Sequence, residues 1–93
     1  MEIVEICRKI TDLGRDTRRT LIYMITAEKY SGENQNVPLE FGVGIKILET
    51  QESSFVNCIT PNMEKITQLA DLLASNFVTP ISLKDVVYDW LCS

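Results

Sequence analysis

The residues of this chain that could do chemistry are few, and their spacing does not gather them. None of the 93 residues is a histidine. That removes Ser-His-Asp and Cys-His nucleophile systems, a histidine general base and the usual zinc sites. Cys7, Cys58 and Cys92 are odd in number, widely spaced and without a C-x-x-C pair. They fit reduced thiols better than a disulfide framework or a structural zinc site. Asp85 and Asp89 stand one helical turn apart and could bind a hard cation or act as an acid/base pair. The simpler account is that Asp85 caps its own helix and Asp89 faces solvent. Phe41-Gly42-Val43-Gly44 holds a lone Gly-x-Gly, without the third glycine, the following helix or the βαβ context of a dinucleotide site. No catalytic, cofactor-binding or metal-ligating residue is assigned, and the expectation is a protein that is not an enzyme and carries no cofactor.

Charge is the next source of function. The formal net charge is −4, which argues against a binder of nucleic-acid backbones. Arg8, Lys9, Arg15, Arg18 and Arg19 hold five of the nine basic residues, but Glu2, Glu5, Asp12 and Asp16 nearly cancel them. Tyr23, Tyr30 and Phe41 near Arg18 and Arg19 could form a stacking surface for nucleic acid. Cross-strand aromatics are more often core. From Glu49 onward Glu49, Glu52, Glu64, Asp71, Asp85 and Asp89 face only Lys65 and Lys84. This is either an acidic face for a basic partner or a solvated helix surface, the second being the default.

The elements that must position these residues are legible by period. Residues 2–11 are ambiguous: Ile3, Ile6, Ile10 and Leu13 fit a helical stripe, while Val4, Ile6 and Ile10 fit one face of a strand. The turn-like Asp12-Leu13-Gly14-Arg15-Asp16 follows, so a hairpin is favoured and residues 2–11 are read as a strand. Arg18 to Glu28 reads as a strand, with Leu21, Tyr23 and Ile25 on one face and Ile22 and Met24 on the other. Ser31 to Pro38 is a polar loop. Leu39 to Glu49 alternates cleanly. Leu39, Phe41, Val43, Ile45 and Ile47 point one way, and Glu40, Gly42, Gly44, Lys46 and Leu48 the other. Gly42 and Gly44 predict a bulge, or room for something packing closely. Thr50 to Ser53 turns the chain into a short strand, Ser54 to Ile59.

Two helices follow. Thr60 is the expected N-cap and Pro61 the first helical residue. Met63, Ile66, Leu69, Ala70, Leu73 and Phe77 recur at helical spacing, and Asn76 is expected to end the helix in a left-handed conformation. Thr79-Pro80 breaks the chain. Ser82 to Asp85 resembles a capping box, with Ile81 and Val86 placed as a hydrophobic staple. Val86, Val87, Trp90 and Leu91 supply the second apolar stripe. The order β-β-β-β-α-α argues one α+β domain over residues 1–93, an antiparallel meander of three or four strands with both helices on one face.

The pattern Phe41-Gly42-Val43-Gly44-Ile45-Lys46-Ile47, a later Glu49, and the block Val78-Thr79-Pro80-Ile81-Ser82-Leu83-Lys84-Asp85-Val86-Val87-Tyr88-Asp89-Trp90-Leu91 resembles a family of short Firmicutes-type bacterial proteins catalogued only as a domain of unknown function. The likeness spans roughly residues 39–91. It implies a bacterial cytosolic origin and carries no activity or site residue.

No apolar run approaches the ~20 residues of a membrane span, and Met1 to Glu5 lacks the basic and apolar regions of a signal peptide. The expectation is a cytoplasmic protein acting by protein contact or self-association. Two short helices would leave one sheet face bare, exposing Ile22, Met24 and Leu48 as an apolar patch that a homodimer could bury. Trp90 anchors the last helix if docked, and is a contact candidate if exposed. The rival reading is a small-ligand sensor with a pocket between sheet and helices near Gly42 and Gly44. A nucleic-acid-associated regulator is a weaker third.

Overall fold

The computed structural model describes residues 2–12, 14, 17–29 and 39–92. The polar loop 31–38, Tyr30, Arg15 and most of the first turn lie outside them. Four strands, β1 (Glu2–Asp12), β2 (Arg18–Lys29), β3 (Leu39–Ile47) and β4 (Ser53–Thr60), precede two α-helices, α1 (Met63–Ser75) and α2 (Leu83–Cys92). The strands form one antiparallel meander in the order β1-β2-β3-β4. The α+β reading therefore holds, and the ambiguous N-terminus is a strand. Tertiary pairing decides it: β1 pairs with β2 from Glu2 opposite Ala27 to Asp12 opposite Arg18.

Register puts Leu21 and Tyr23 beside Ile47 and Ile45, so that the alternation of β2 and β3 presents one apolar face. Ile66, Leu69, Ala70 and Leu73 of α1 and Leu83 and Val87 of α2 complete the core on that face. Burying such side chains stabilises by about 1.5–3 kcal/mol each. Tyr23 is buried among them, and its hydroxyl donates to the Val78 carbonyl at 2.9 Å. This bond pins the chain after α1 to the centre of the sheet. Tyr23 and Phe41 are thus core residues and not a stacking surface.

The helix ends differ from the expectation. Thr60 is still in β4, paired with Phe41, so the chain cannot enter a helix at Pro61. Asn62 is the N-cap instead, its Oδ1 accepting from the Lys65 amide at 3.1 Å. Thr60 Oγ1 accepts from the Asn62 amide at 3.2 Å, one step earlier. At the other end Asn76 has φ −101°, and the left-handed residue is Phe77 at φ 51°. Phe77 N–H reaches Ala74 O and Val78 N–H reaches Leu73 O. This is the paired closure that usually takes glycine, held here by burial of Val78 against Leu73. Ser82 belongs to a 3₁₀ turn, Pro80–Ser82, that leads into α2. Ile81 is 91% exposed, so the expected staple with Val86 does not form.

Candidate functional site: the open sheet face and the β1 edge

Helices lie on one side of the sheet, and the other side is built from Thr20, Ile22, Met24 and Thr26 of β2 with Gly42, Gly44 and Lys46 of β3. Ile22 and Met24, expected to form an exposed patch, are only 6% and 8% exposed. The glycines show how this face fills itself. A Cβ at Gly44 would collide with the Phe55 ring, and one at Gly42 with the Val56 carbonyl, the Asn57 backbone and Thr26 Oγ1. The two glycines thus let β4 fold its side chains over β3, and Phe55 lies in the row of Met24 and Gly44. Thr26, also buried, donates from Oγ1 to Asn57 Oδ1 at 3.2 Å. Gly42 sits at the bulge where β3 and β4 shift register, and Cys58 takes φ 54° there. The space expected near Gly42 and Gly44 for a ligand is therefore filled, and it lies on the face away from the helices.

Leu48 follows β3 in the turn and is 38% exposed. Its amide donates to Thr20 O at 3.0 Å, which sets it in the row of Thr20 and Ile10 on the open face. Glu49 anchors the same turn. One carboxylate oxygen accepts from the Thr20 amide at 2.7 Å and the other from the Thr20 hydroxyl at 2.8 Å. These bonds hold the Glu49 carboxyl below the usual carboxylate range. Trp90, on α2, is partly buried and packed against the core, the docked alternative. It stands on the far side of the fold from Leu48, Ile22 and Met24, so the four expected contact residues do not form one surface.

Exposed apolar side chains also line β1, whose sequence fits both a helix and a strand. Among the described strands, β1 is a sheet edge paired only with β2. Ile3, Val4, Ile6 and Ile10 are all exposed, Val4 at 59% and Ile10 at 69%. A bulge between Glu5 and Cys7 turns Cys7 inward against the core, while Glu5 and Arg8 share the open face. Arg8 Nη2 lies 2.9 Å from Glu5 Oε1, and the contact lowers the Glu5 carboxyl's pKa. The signal for this edge was present as Ile-x-x-Ile-x-x-x-Ile spacing, which a helix would also explain.

The remaining candidates are scattered. Asp85 and Asp89 are both exposed on α2. Arg18 lies 4.0 Å from Asp12, and Arg19 donates to the Arg18 carbonyl, so basic groups alternate with acids along the first hairpin. Cys7, Cys58 and Cys92 are free thiols. Desolvation, then the Glu28 and Glu40 carboxylates, raise the Cys58 thiol's pKa and keep it from the nucleophilic thiolate form. No helix among the described residues is long and apolar enough to cross a membrane.

The model of a family described only as a family of unknown function, DUF6514, matches residues 1–93. The chain belongs to that family. Membership covers β1 as well as the terminal block, although β1 added little to the resemblance read from sequence. No curated protein and no solved structure matches the chain.

Proposed function

We propose that this member of the family is a non-enzymatic protein-interaction module acting through its β1 edge. The observation that carries the reading is an edge strand of eleven residues with four exposed aliphatic side chains. Unpaired backbone donors and acceptors beside exposed apolar groups are what strand-addition partners use. The three dispersed free thiols fit a reducing bacterial cytoplasm as its setting.

The test immobilises the folded protein and a Val4→Lys/Ile10→Lys variant in a lysate of the source organism. Bound proteins are identified by mass spectrometry, and self-association is read in parallel by sedimentation. A specific protein or a second copy held by wild type and lost by the variant supports the reading. Absence of both self-association and specific capture overturns it.

A second reading, a small-ligand sensor, draws on a different feature. A groove of about 440 Å³ runs between β4 and α2, walled by Phe55, Val56 and Ile59 and by Val87, Tyr88 and Leu91. A thermal-shift screen separates the two readings, because a ligand specific for the folded state raises the melting temperature.

A further inference from the structure

β1 is complementary to itself. Read outward from the step between Ile6 and Cys7, the strand runs Ile6, Glu5, Val4, Ile3 in one direction and Cys7, Arg8, Lys9, Ile10 in the other. The acids Glu2 and Glu5 fall in one half and the bases Arg8 and Lys9 in the other. In an unbroken strand Glu5 and Arg8 would point to opposite faces. The bulge adds one residue between them, so both stand on the open face, Glu5 in the row of Met24 and Arg8 in the row of Ile22. The same shift puts Ile3 and Ile10 together on that face, and Val4 and Lys9 together on the other.

We propose that a second copy of this chain is the partner of β1, added antiparallel about a two-fold axis between Ile6 and Cys7 to give a continuous eight-stranded sheet. This deepens the interaction-module reading and rests on it. In this register Glu5 lies opposite Arg8 of the second copy, and the symmetry repeats the pair. Ile3 lies opposite Ile10, Val4 opposite Lys9 and Glu2 opposite Thr11, and every pair shares a face. Glu2 becomes the diagonal neighbour of Lys9 of the second copy, within reach of a long side chain. A parallel in-register arrangement sets Glu5 against Glu5 and Arg8 against Arg8, which is destabilising. Setting Glu5 opposite Lys9 is excluded by the bulge, because those residues occupy opposite faces. Of the registers that match faces, the proposed one pairs residues 2–11 of both copies and meets Glu5 and Arg8, the charges of that span on the open face, with their opposites.

The surface needs little rearrangement to accept it. β1 leaves its outer backbone groups unpaired with the sheet, and Glu5 and Arg8 already touch within one chain at 2.9 Å. Pairing exchanges that bond for equivalents across the axis. Ile3 and Ile10, exposed in the protomer, meet across the junction.

The experiment is sedimentation equilibrium on wild type, Glu5→Arg, Arg8→Glu and an equimolar mixture of the two variants, with circular dichroism confirming that each variant is folded. Wild type is expected at twice the 10.6 kDa protomer mass. Each variant alone sets like charges across the axis and should associate at least tenfold more weakly. In the mixture one chain carries arginine at both positions and the other carries glutamate at both. Every charge at the axis then meets its opposite again, and the dimer should be recovered. An intrachain Glu5–Arg8 bond cannot be restored by mixing, so recovery reports contact between chains. A wild type that stays monomeric at 100-fold the concentration of the assay overturns the proposal. So does a dimer indifferent to both reversals, or a mixture no tighter than its components. A monomer that still captures another protein through β1 overturns this inference alone and leaves the interaction-module reading standing.

Discussion

Tyr23 shows how one side chain couples the two layers. Its hydroxyl is buried against the Val78 carbonyl, and burial, with a smaller push from Cys7, raises its pKa to about 12. The folded state therefore holds a proton that the unfolded chain releases near pH 10. Stability from this source is fully present below pH 10 and falls as pH rises toward 12. Urea unfolding across that range should show a declining midpoint, and Tyr23→Phe should flatten the decline. At neutral pH the same variant costs about 1–2 kcal/mol, because the Val78 carbonyl loses its buried donor. Gly44 makes a steric demand of a different kind. Gly44→Ala drives a methyl group into the Phe55 ring and should cost about 1–3 kcal/mol. In a Phe55→Leu background the penalty should shrink, as a double-mutant cycle measured by denaturant would show. Only the unusual pair of glycines in a strand announced this contact in the sequence. The identity of the packing group required the register of β4.

At the scale of elements, the helices owe their position to ends that local rules located only approximately. The apolar stripe of α1 was legible because Ile66, Leu69, Ala70 and Leu73 keep helical spacing and are all buried. Its start was misplaced because Thr60, a good cap by type, is held in the sheet by Phe41. Asn62→Ala should therefore cost about 1 kcal/mol, and Thr60→Ala less through this route, as measured by thermal unfolding. The capping box and staple at Ser82 and Ile81 failed for a related reason. A 3₁₀ turn anchored by buried Pro80 intervenes, and it carries Ile81 into solvent. β1 is the converse case, with a helix-compatible sequence that becomes a strand because β2 offers a long, register-matched edge.

The whole molecule is longer than its helices can cover. α1 spans about 20 Å at 1.5 Å per residue, whereas the twelve residues of β2 reach about 40 Å at 3.3 Å per residue. The protomer measures 52 × 27 × 18 Å with a radius of gyration of 14.1 Å, against about 12 Å for a compact chain of this length. The excess is long hairpin, and β1 forms its outer edge. Val4→Lys/Ile10→Lys should leave the unfolding free energy within about 0.5 kcal/mol of wild type, since both positions are exposed. The same change should abolish strand-mediated association. Small-angle scattering on wild type should give a radius of gyration above the protomer value, and on the variant a value close to it.

Period and composition by themselves determined the α+β class, the faces of β2 and β3, the core stripe of α1 and the lack of a histidine-based site. Those features follow from alternation at two and recurrence near 3.6, which the chain carries locally. Tertiary structure alone decided the rest. It fixed residues 2–12 as the edge strand, buried Ile22 and Met24 on the open face, and laid Phe55 over Gly44. It also separated Trp90 from Leu48, and used one extra residue in β1 to bring Glu5 and Arg8 to a common face. Each of these depends on which segment lies beside which, and that register is fixed by packing between residues distant in the chain.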